Sequence, residues 1–458
     1  MSAAGKIGED PIRIAGGGPT GALLAILLQA RGYSQIDLFE SRADPRLATA
    51  QSGRSINLAL ADRGIHALQT AGVFERLGTS LLPMRGRCIH VDGGTAFQPY
   101  GQRPNEVNYS ISRLKLNQGL IDIAASLAGI RLHFEHRLEA VDFDAGRASF
   151  RAQRAGRTLE VPMRPLLACD GAASTMRRRM VEARIIDAQE VALDHGYKEL
   201  SIPAATNGAS AFAADALHIW PRGNFMLIAL PNEDGSLTAT LFLPKRGPLS
   251  FASLRDRDAI DDFLSSNFPD ARAAMPNCVA EFQAHPVGFL GSVSASPWHA
   301  SGQALLIGDA AHAMVPFHGQ GMNCCFEDCI EFDRCAARHT SWQAAFADFG
   351  ASRKPDTDAI TAMALENYLE MRAHVADPKF QLQQALSLEL ERRFPRRFIP
   401  RYSMVMHHHE IPYRTAQQRG EVQAEILKHL TIGAVTCLAE VDFERAEREI
   451  TARLEPLR

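Results

Sequence analysis

At 458 residues the chain is too long for a single hydrophobic core, so two or three subdomains are expected. Hydrophobic residues make up 46% and charged residues 22%, a globular profile, and a net charge of -3 gives no electrostatic case for nucleic acid or an anionic membrane as partner. The eight cysteines form no C-x-x-C pair, which argues against a zinc framework or a disulfide scaffold and suits a reducing, cytoplasmic setting.

The opening stretch, MSAAGKIGEDPIRIAGGG, places acidic residues where a signal peptide needs an apolar core. The apolar run Ala22 to Leu28 falls far short of the ~20 residues that span a bilayer. Ile12 to Ala15 reads as a short buried strand, and Gly16-Gly17-Gly18-Pro19-Thr20-Gly21 follows at once as G-x-G-x-x-G, running into a helix. The first glycine allows a tight turn, the second lets the backbone approach a pyrophosphate, and the third permits close helix–strand packing. Gln35 to Glu40 forms a second strand, which ends in a carboxylate at the spacing that suits a ribose hydroxyl. Strand, glycines, helix and acid in register predict dinucleotide binding.

A helix is predicted over Asp62 to Leu77, an extended stretch over Met84 to His90, and a helix over Leu114 to Leu127. From Ile130 to Val161 apolar and polar residues alternate, which predicts short antiparallel strands. Leu166 to Ser174 (LLACDGAAS) brings a further strand to a carboxylate, Asp170, and a glycine, with Ser174 placed to cap a helix. Between Leu200 and Val287 lie strands at Ala216 to Trp220, Phe225 to Leu230 and Thr238 to Leu243; Asn232-Glu233-Asp234-Gly235 is a hairpin turn. One face of that sheet carries Ile228, Leu230, Thr240 and Phe242; it suits an aromatic ligand or packing against another domain.

Ala304 to Ile307 then delivers the chain to Gly308-Asp309, a loop with Pro316, and Gly319-Gln320-Gly321-Met322-Asn323 ahead of a helix. A strand-end carboxylate, a glycine gap and a helix N-terminus suit a flat ligand with hydroxyls and an electron-poor ring, such as a flavin. Ala359 to Met371 and the region beyond about Asp377 read as helical, and the last helix shows an apolar stripe at Phe443, Ala446, Ile450 and Leu454. His407-His408-His409 reads as a solvated loop, because three adjacent side chains diverge; no metal site is expected.

The order G-x-G-x-x-G, then Cys169-Asp170-Gly171, then Gly308-Asp309 resembles the single-component flavin aromatic hydroxylases, the para-hydroxybenzoate hydroxylase-like group. Within that group Gly53 to Leu60 (GRSINLAL), Met84 to Arg87, Gln98 to Gly101, His195 to Leu200, Leu217 to Pro221, Val315 to Asn323, Met363 to Tyr368 and Phe398 to Met404 look like the kynurenine 3-monooxygenase family. The resemblance implies an α/β fold: a Rossmann-type FAD-binding domain (1–85, 110–190 and 288–372), an inserted antiparallel β-sheet substrate domain (86–109 and 191–287) and a C-terminal helical region (373–458). It implies FAD, NADPH or NADH as co-substrate, O2, and hydroxylation of L-kynurenine to 3-hydroxykynurenine through a flavin C4a-hydroperoxide. A homodimer is a candidate assembly. The charged tail, Glu440 to Arg458, resembles the soluble bacterial form rather than members with a membrane anchor.

The same resemblance assigns residues. Arg87 and Tyr100 would hold the substrate carboxylate, since a guanidinium fork takes a carboxylate in two parallel bonds. Asn367 and Tyr402 would add polar contacts, Leu217, Ile228, Leu230, Thr240 and Phe242 the aromatic-ring pocket, and Met371 a wall. Pro316, Phe317 and His318 would face the seam of flavin and substrate. FAD would be held by Gly16, Gly18, Gly21, Glu40, Arg42, Arg113, Asp170 and Asp309, with Gly319, Gln320, Gly321, Met322 and Asn323 facing its ring. No Ser/His/Asp arrangement calls for a catalytic side chain, because the hard chemistry belongs to the cofactor. Ser41 and Ala313 depart from the family pattern, with arginine and proline more usual there. Rival readings are a hydroxylase of a substituted kynurenine or other aminoaromatic, and a non-catalytic flavin-binding redox sensor.

Overall fold

The structure, a computed structural model, describes residues 7–8, 10–47, 57–91, 94–205, 208–371 and 377–457. Residues 53–56 of the GRSINLAL stretch lie outside them. The chain forms two compact units, residues 1–81, 111–192 and 291–361 in the first and 82–110, 193–290 and 362–458 in the second.

The first unit is built on a six-stranded sheet with Ile12–Ala15 near its middle, between Leu166–Ala168 and Ile36–Phe39. Those pairs are parallel, as is Leu166–Ala168 with Ala304–Leu306. Strands covered on both faces need no alternation, which is why Ile12–Ala15 and Ile36–Phe39 are buried at every position. The Pro19–Ala30 helix returns the chain across the sheet with Gly21 to Leu28 buried.

Two expectations change here. Ile130–His133 is not part of an antiparallel meander; it extends the main sheet, parallel to Ile36–Phe39. Alternation reports which faces are wet and says nothing of strand direction. The antiparallel strands are the next three, His136–Asp142, Arg147–Ala152 and Thr158–Pro162. The helix expected over Asp62 to Leu77 breaks into Asp62–Thr70 and Phe74–Leu77. Gly72, at φ +68, takes the left-handed turn, and Val73 N–H closes it onto the Leu68 carbonyl at 2.9 Å.

In the second unit Met226–Pro231 and Leu237–Pro244 form the hairpin at the middle of a sheet that continues through Ala216–Pro221 to Gly86–Val91 and Gly94–Pro99. Only the Ala216–Pro221 and Gly86–Val91 pair is parallel among the pairings described, because these strands come from separate passes of the chain. One face of this sheet (Trp220, Leu227, Ala229, Ala239 and Leu241) packs on the helices Arg257–Asn267 and Cys278–Ala284 through Phe263, Leu264 and Phe282. Beyond 362 the unit adds Pro378–Arg393, Arg401–His407, Tyr413–Leu430 and Phe443–Arg453. Ala446, Ile450 and Leu454 join Leu386, Leu390 and Ile426 in their core, with Phe443 packed at its margin. His407 ends its helix, and His408 and His409 follow it in a turn, half-buried, with His408 bonded to the exposed Glu410 at 2.9 Å. No helix among the described residues is long and apolar enough to cross a membrane.

Candidate active site

In the first unit three strand ends and their following turns carry the candidate cofactor groups. Gly16 turns at φ +107, and its N–H donates to the Phe39 carbonyl at 2.7 Å. A Cβ at Gly16 would lie 2.2 Å from the Cys169 carbonyl oxygen, and one at Gly21 would lie 1.9 Å from the Gly16 carbonyl oxygen. Both glycines therefore exist for chain-to-chain packing. Gly18 differs: nothing lies within 4 Å of its side-chain position, and as N-cap of Pro19–Ala30 it leaves the helix without a side-chain cap. Uncapped first-turn amides and the positive end of the helix dipole suit a pyrophosphate, so the residues present fit FAD.

Glu40, 5% exposed, accepts from Gly17 N at 2.9 Å and from Arg42 N and Nε at 2.8 and 3.0 Å. Burial works to raise its carboxyl, but the Arg42 bonds and charge, with the Gly17 amide, outweigh it and hold the group below its usual range. Ser41, one of the departures from the family pattern, donates its hydroxyl to the same carboxylate at 3.1 Å. Asp170 has the opposite balance. Its oxygens accept from Ser174 Oγ, Thr175 N and Met176 N at 2.5, 2.7 and 3.1 Å, yet burial pushes its carboxyl up. Ser174 caps the helix as expected, accepting from Arg177 N. Buried Arg177 bonds the Ala172 and Ala310 carbonyls, tying the second motif to the third. Arg42 and Arg113 are exposed.

Asp309 opens the short helix Asp309–His312 directly after Gly308. Pro316–His318 forms one 3-10 turn, with Phe317 and His318 buried and Pro316 exposed. Gly319 at φ +71 then leads to Gln320, which starts the helix Gly321–Arg338 without a side-chain cap; Met322 is half-buried in its first turn. The Asn323 side chain is engaged within the protein: its oxygen accepts from Ala61 N at 2.9 Å, and its Nδ2 donates to the Ala59 and Gly319 carbonyls at 2.8 and 2.9 Å. It pins the glycine loop to the Asp62–Thr70 helix, whose Gly64 leaves room for it; a Cβ there would be 2.4 Å from Asn323 Oδ1.

In the second unit the register aligns Arg87 with Leu217, Ile228 with Thr240 and Met226 with Phe242. The alternation that turns Leu227, Ala229 and Leu241 to the helices turns Leu217, Ile228, Leu230, Thr240 and Phe242 to the other face, which Arg87 shares. The Arg87 guanidinium lies 4.5 Å from the Tyr402 ring centroid and 5.7 Å from that of Tyr100, and the two rings stack 5.7 Å apart at 17°. Burial works against its charge, but Tyr402, Tyr100 and Glu370 more than restore it and hold the guanidinium above its ordinary value. Its Nε is buried without a hydrogen-bond partner among the described residues. Burial and the neighbouring Tyr402 push the Tyr100 phenol up, so it stays a donor. Asn367 is buried on Trp342–Leu369 and donates to Met371 Sδ at 3.4 Å.

Sequence reasoning missed the buried Asp328 of Gly321–Arg338 and its half-buried neighbour Glu327. The available signal was Glu327-Asp328 embedded in the apolar run Cys324 to Ile330.

The FAD binding domain family matches residues 9–247 and 250–339. The chain is 47% identical to a kynurenine 3-monooxygenase of Xanthomonas campestris pv. campestris over 458 residues, covering 100% of this chain and 99% of that protein. It is 46% identical to one of Stenotrophomonas maltophilia, covering 97% of each. Among solved structures it resembles the tetrameric form of 2-methyl-3-hydroxypyridine-5-carboxylic acid oxygenase at a TM-score of 0.63 and 19% identity, covering 83% of this chain and 97% of that one. It also resembles Pseudomonas aeruginosa PqsL in complex with 2-aminobenzoylacetate at 0.64 and 20%, covering 79% and 96%.

Proposed function

The chain belongs to the kynurenine 3-monooxygenase family of FAD-binding proteins, and from that premise we propose that it hydroxylates L-kynurenine to 3-hydroxykynurenine with NAD(P)H and O2. Bound FAD, reduced by the nicotinamide, would activate oxygen and supply the hydroxyl group.

The chain's own part is to hold and orient. In the first unit Gly18 admits the pyrophosphate on a turn that Gly16 and Gly21 let close, Glu40 and Asp309 accept from the ligand's hydroxyls, and the amide end of Gly321–Arg338 offers positive potential to the flavin ring. In the second, Arg87 takes the substrate carboxylate as a fork, Tyr100 donates a third bond, and Tyr402 shields the pair from water. Leu217, Ile228, Leu230, Thr240 and Phe242 form the wall for the aromatic ring, and Asn367 and Met371 adjoin it. No side chain is assigned a nucleophile's role. Eight unpaired thiols fit a reducing compartment, so we place the protein in the cytoplasm.

The observation that carries the reading is Arg87: a desolvated guanidinium framed by two tyrosines on the sheet face that also presents an apolar wall. An aromatic amino acid needs both halves. The test incubates the FAD-loaded protein with NAD(P)H, O2 and L-kynurenine and weighs the product. A gain of one oxygen on kynurenine is expected, and peroxide release with unchanged kynurenine overturns the reading.

A further inference from the structure

Asp328 is fully buried on the Gly321–Arg338 helix, and the roles above leave it unused. Its Oδ2 accepts from Gly308 N at 3.2 Å and from His312 Nε2 at 2.5 Å, and its Oδ1 accepts from Arg353 Nε at 2.9 Å. Gly308 is the residue before Asp309 and sits at φ +65; His312 is the last residue of the short helix that Asp309 begins. One carboxylate therefore grips the Asp309 turn at both ends.

The charges around it close. His312 turns its Nε2 to Asp328, and its Nδ1 is buried with no hydrogen-bond partner among the described residues. Arg353 also pairs with Glu327 at 3.0 Å, and Glu327 takes Arg63 at 2.7 Å. Two carboxylates meet two guanidiniums. Burial works to raise the Asp328 carboxyl, but His312 and Arg353 outweigh it and keep the group ionised. His312, Cys324 and Asp328 lie close enough together to suggest a metal. Arg353 already lies against Asp328 and within 3.5 Å of Cys324 Sγ, so the guanidinium supplies the cationic charge there.

We propose that Asp328 is a positioning residue for the flavin: by bonding Gly308 and His312 together it sets the turn that presents the Asp309 carboxylate to the cofactor. Removing its charge leaves Arg353 without its full counter-charge and frees both ends of the turn. Asp309 then has to be ordered by the ligand instead of being ordered beforehand.

The inference rests on FAD binding by this family, and the experiment separates the two. Apoprotein is titrated with FAD and the flavin fluorescence followed. Asp328→Asn, which weakens all three bonds of the carboxylate, should weaken FAD by about 10-fold or more, and His312→Gln, which alters one of them, by about 3-fold. The combined variant should be no weaker than Asp328→Asn alone, because both act through one turn. In an Asp309→Ala background, Asp328→Asn should add less than about 2-fold, and full additivity there overturns the proposal. So does a fall in the melting temperature of the Asp328→Asn apoprotein with an unchanged FAD constant, which marks a purely structural role. If Asp328→Asn fails to fold, His312→Gln decides, and an unchanged constant in that variant also overturns it. A wild-type protein that does not bind FAD sinks the family-level reading instead.

Discussion

In the first unit the candidate ligand groups are mostly backbone: a glycine turn, two uncapped helix N-termini, and carboxylates at strand ends. In the second they are side chains collected from separate passes of the chain, with Arg87, Leu217, Thr240 and Tyr402 converging through sheet register and one helix start. At Gly16 and Gly21 an added atom strikes another part of the chain, so those backbone positions tolerate little change. Side-chain sites tolerate substitution in the fold and register it in the ligand constant. Substitutions in the two units should therefore fail in different measurements.

The largest effect is expected at Gly21. A methyl there would lie 1.9 Å from the Gly16 carbonyl oxygen, a backbone atom, so strand turn and helix must separate. Gly21→Ala should cost about 3 kcal/mol or more by overpacking and abolish FAD retention. Melting temperature and flavin content after purification check both. A stable, yellow Gly21→Ala protein would break the contrast between the units.

Next come two substitutions on neighbouring strands of the same hairpin. Leu241 is fully buried against the helices, and Leu241→Ala should lose about 2–5 kcal/mol of stability with little change in kynurenine KM. Ile228 is half-buried on the opposite face, and Ile228→Ala should cost less than about 1.5 kcal/mol while raising KM. Denaturant midpoints and steady-state kinetics separate the two. Equal KM effects would erase the division of this sheet into a core face and a ligand face.

The same contrast explains what could be read from residue order. The role of Gly21 is legible because its steric need, room for the Gly16 carbonyl, is met within one strand–turn–helix, and Gly16 and Gly18 recur with it at fixed spacing. Tyr100 and Tyr402 stand far apart in the chain, and no periodicity brings them to Arg87; only the likeness to a known family joined them. Asp170 and Asn323 were legible as polar residues in the right motifs. Their helix-cap and loop-pinning bonds depend on which amides and carbonyls fold against them. Ile130–His133 joined the wrong sheet because alternation carries no direction. Asp328 left a trace, a charge in an apolar run, but its partners Gly308, His312 and Arg353 are set by tertiary packing.

At Arg87 the expected signature is kinetic. Arg87→Ala should raise the kynurenine KM by about 100-fold, the loss of a charge-assisted pair, and leave the FAD constant unchanged. Arg87→Lys keeps the charge but not the fork, so it should recover only part of that loss. An unchanged KM in Arg87→Ala would remove the carboxylate anchor from the second unit.

The smallest effect sharpens the comparison within the first unit, between two strand-end carboxylates of opposite balance. Glu40 lies below its ordinary value in the folded protein, so its contribution is present above the unfolded value of about 4.3 and is lost as pH falls through the depressed one. Asp170 is raised by burial, so its contribution is full at low pH and declines as pH rises through the raised value. Glu40→Gln should therefore cost roughly 1 kcal/mol at neutral pH, with the difference from wild type shrinking on acidification. For Asp170→Asn the difference should move the other way, because the asparagine carries no ionisation for burial to oppose. Apoprotein melting temperatures across a pH series from about 2 to 7, which reaches below the unfolded carboxylate value, read both slopes. Parallel slopes would mean that the Arg42 charge and the helix cap act alike on their carboxylates. Divergent slopes would show that an arginine keeps Glu40 ionised, whereas the cap leaves the burial of Asp170 only partly offset.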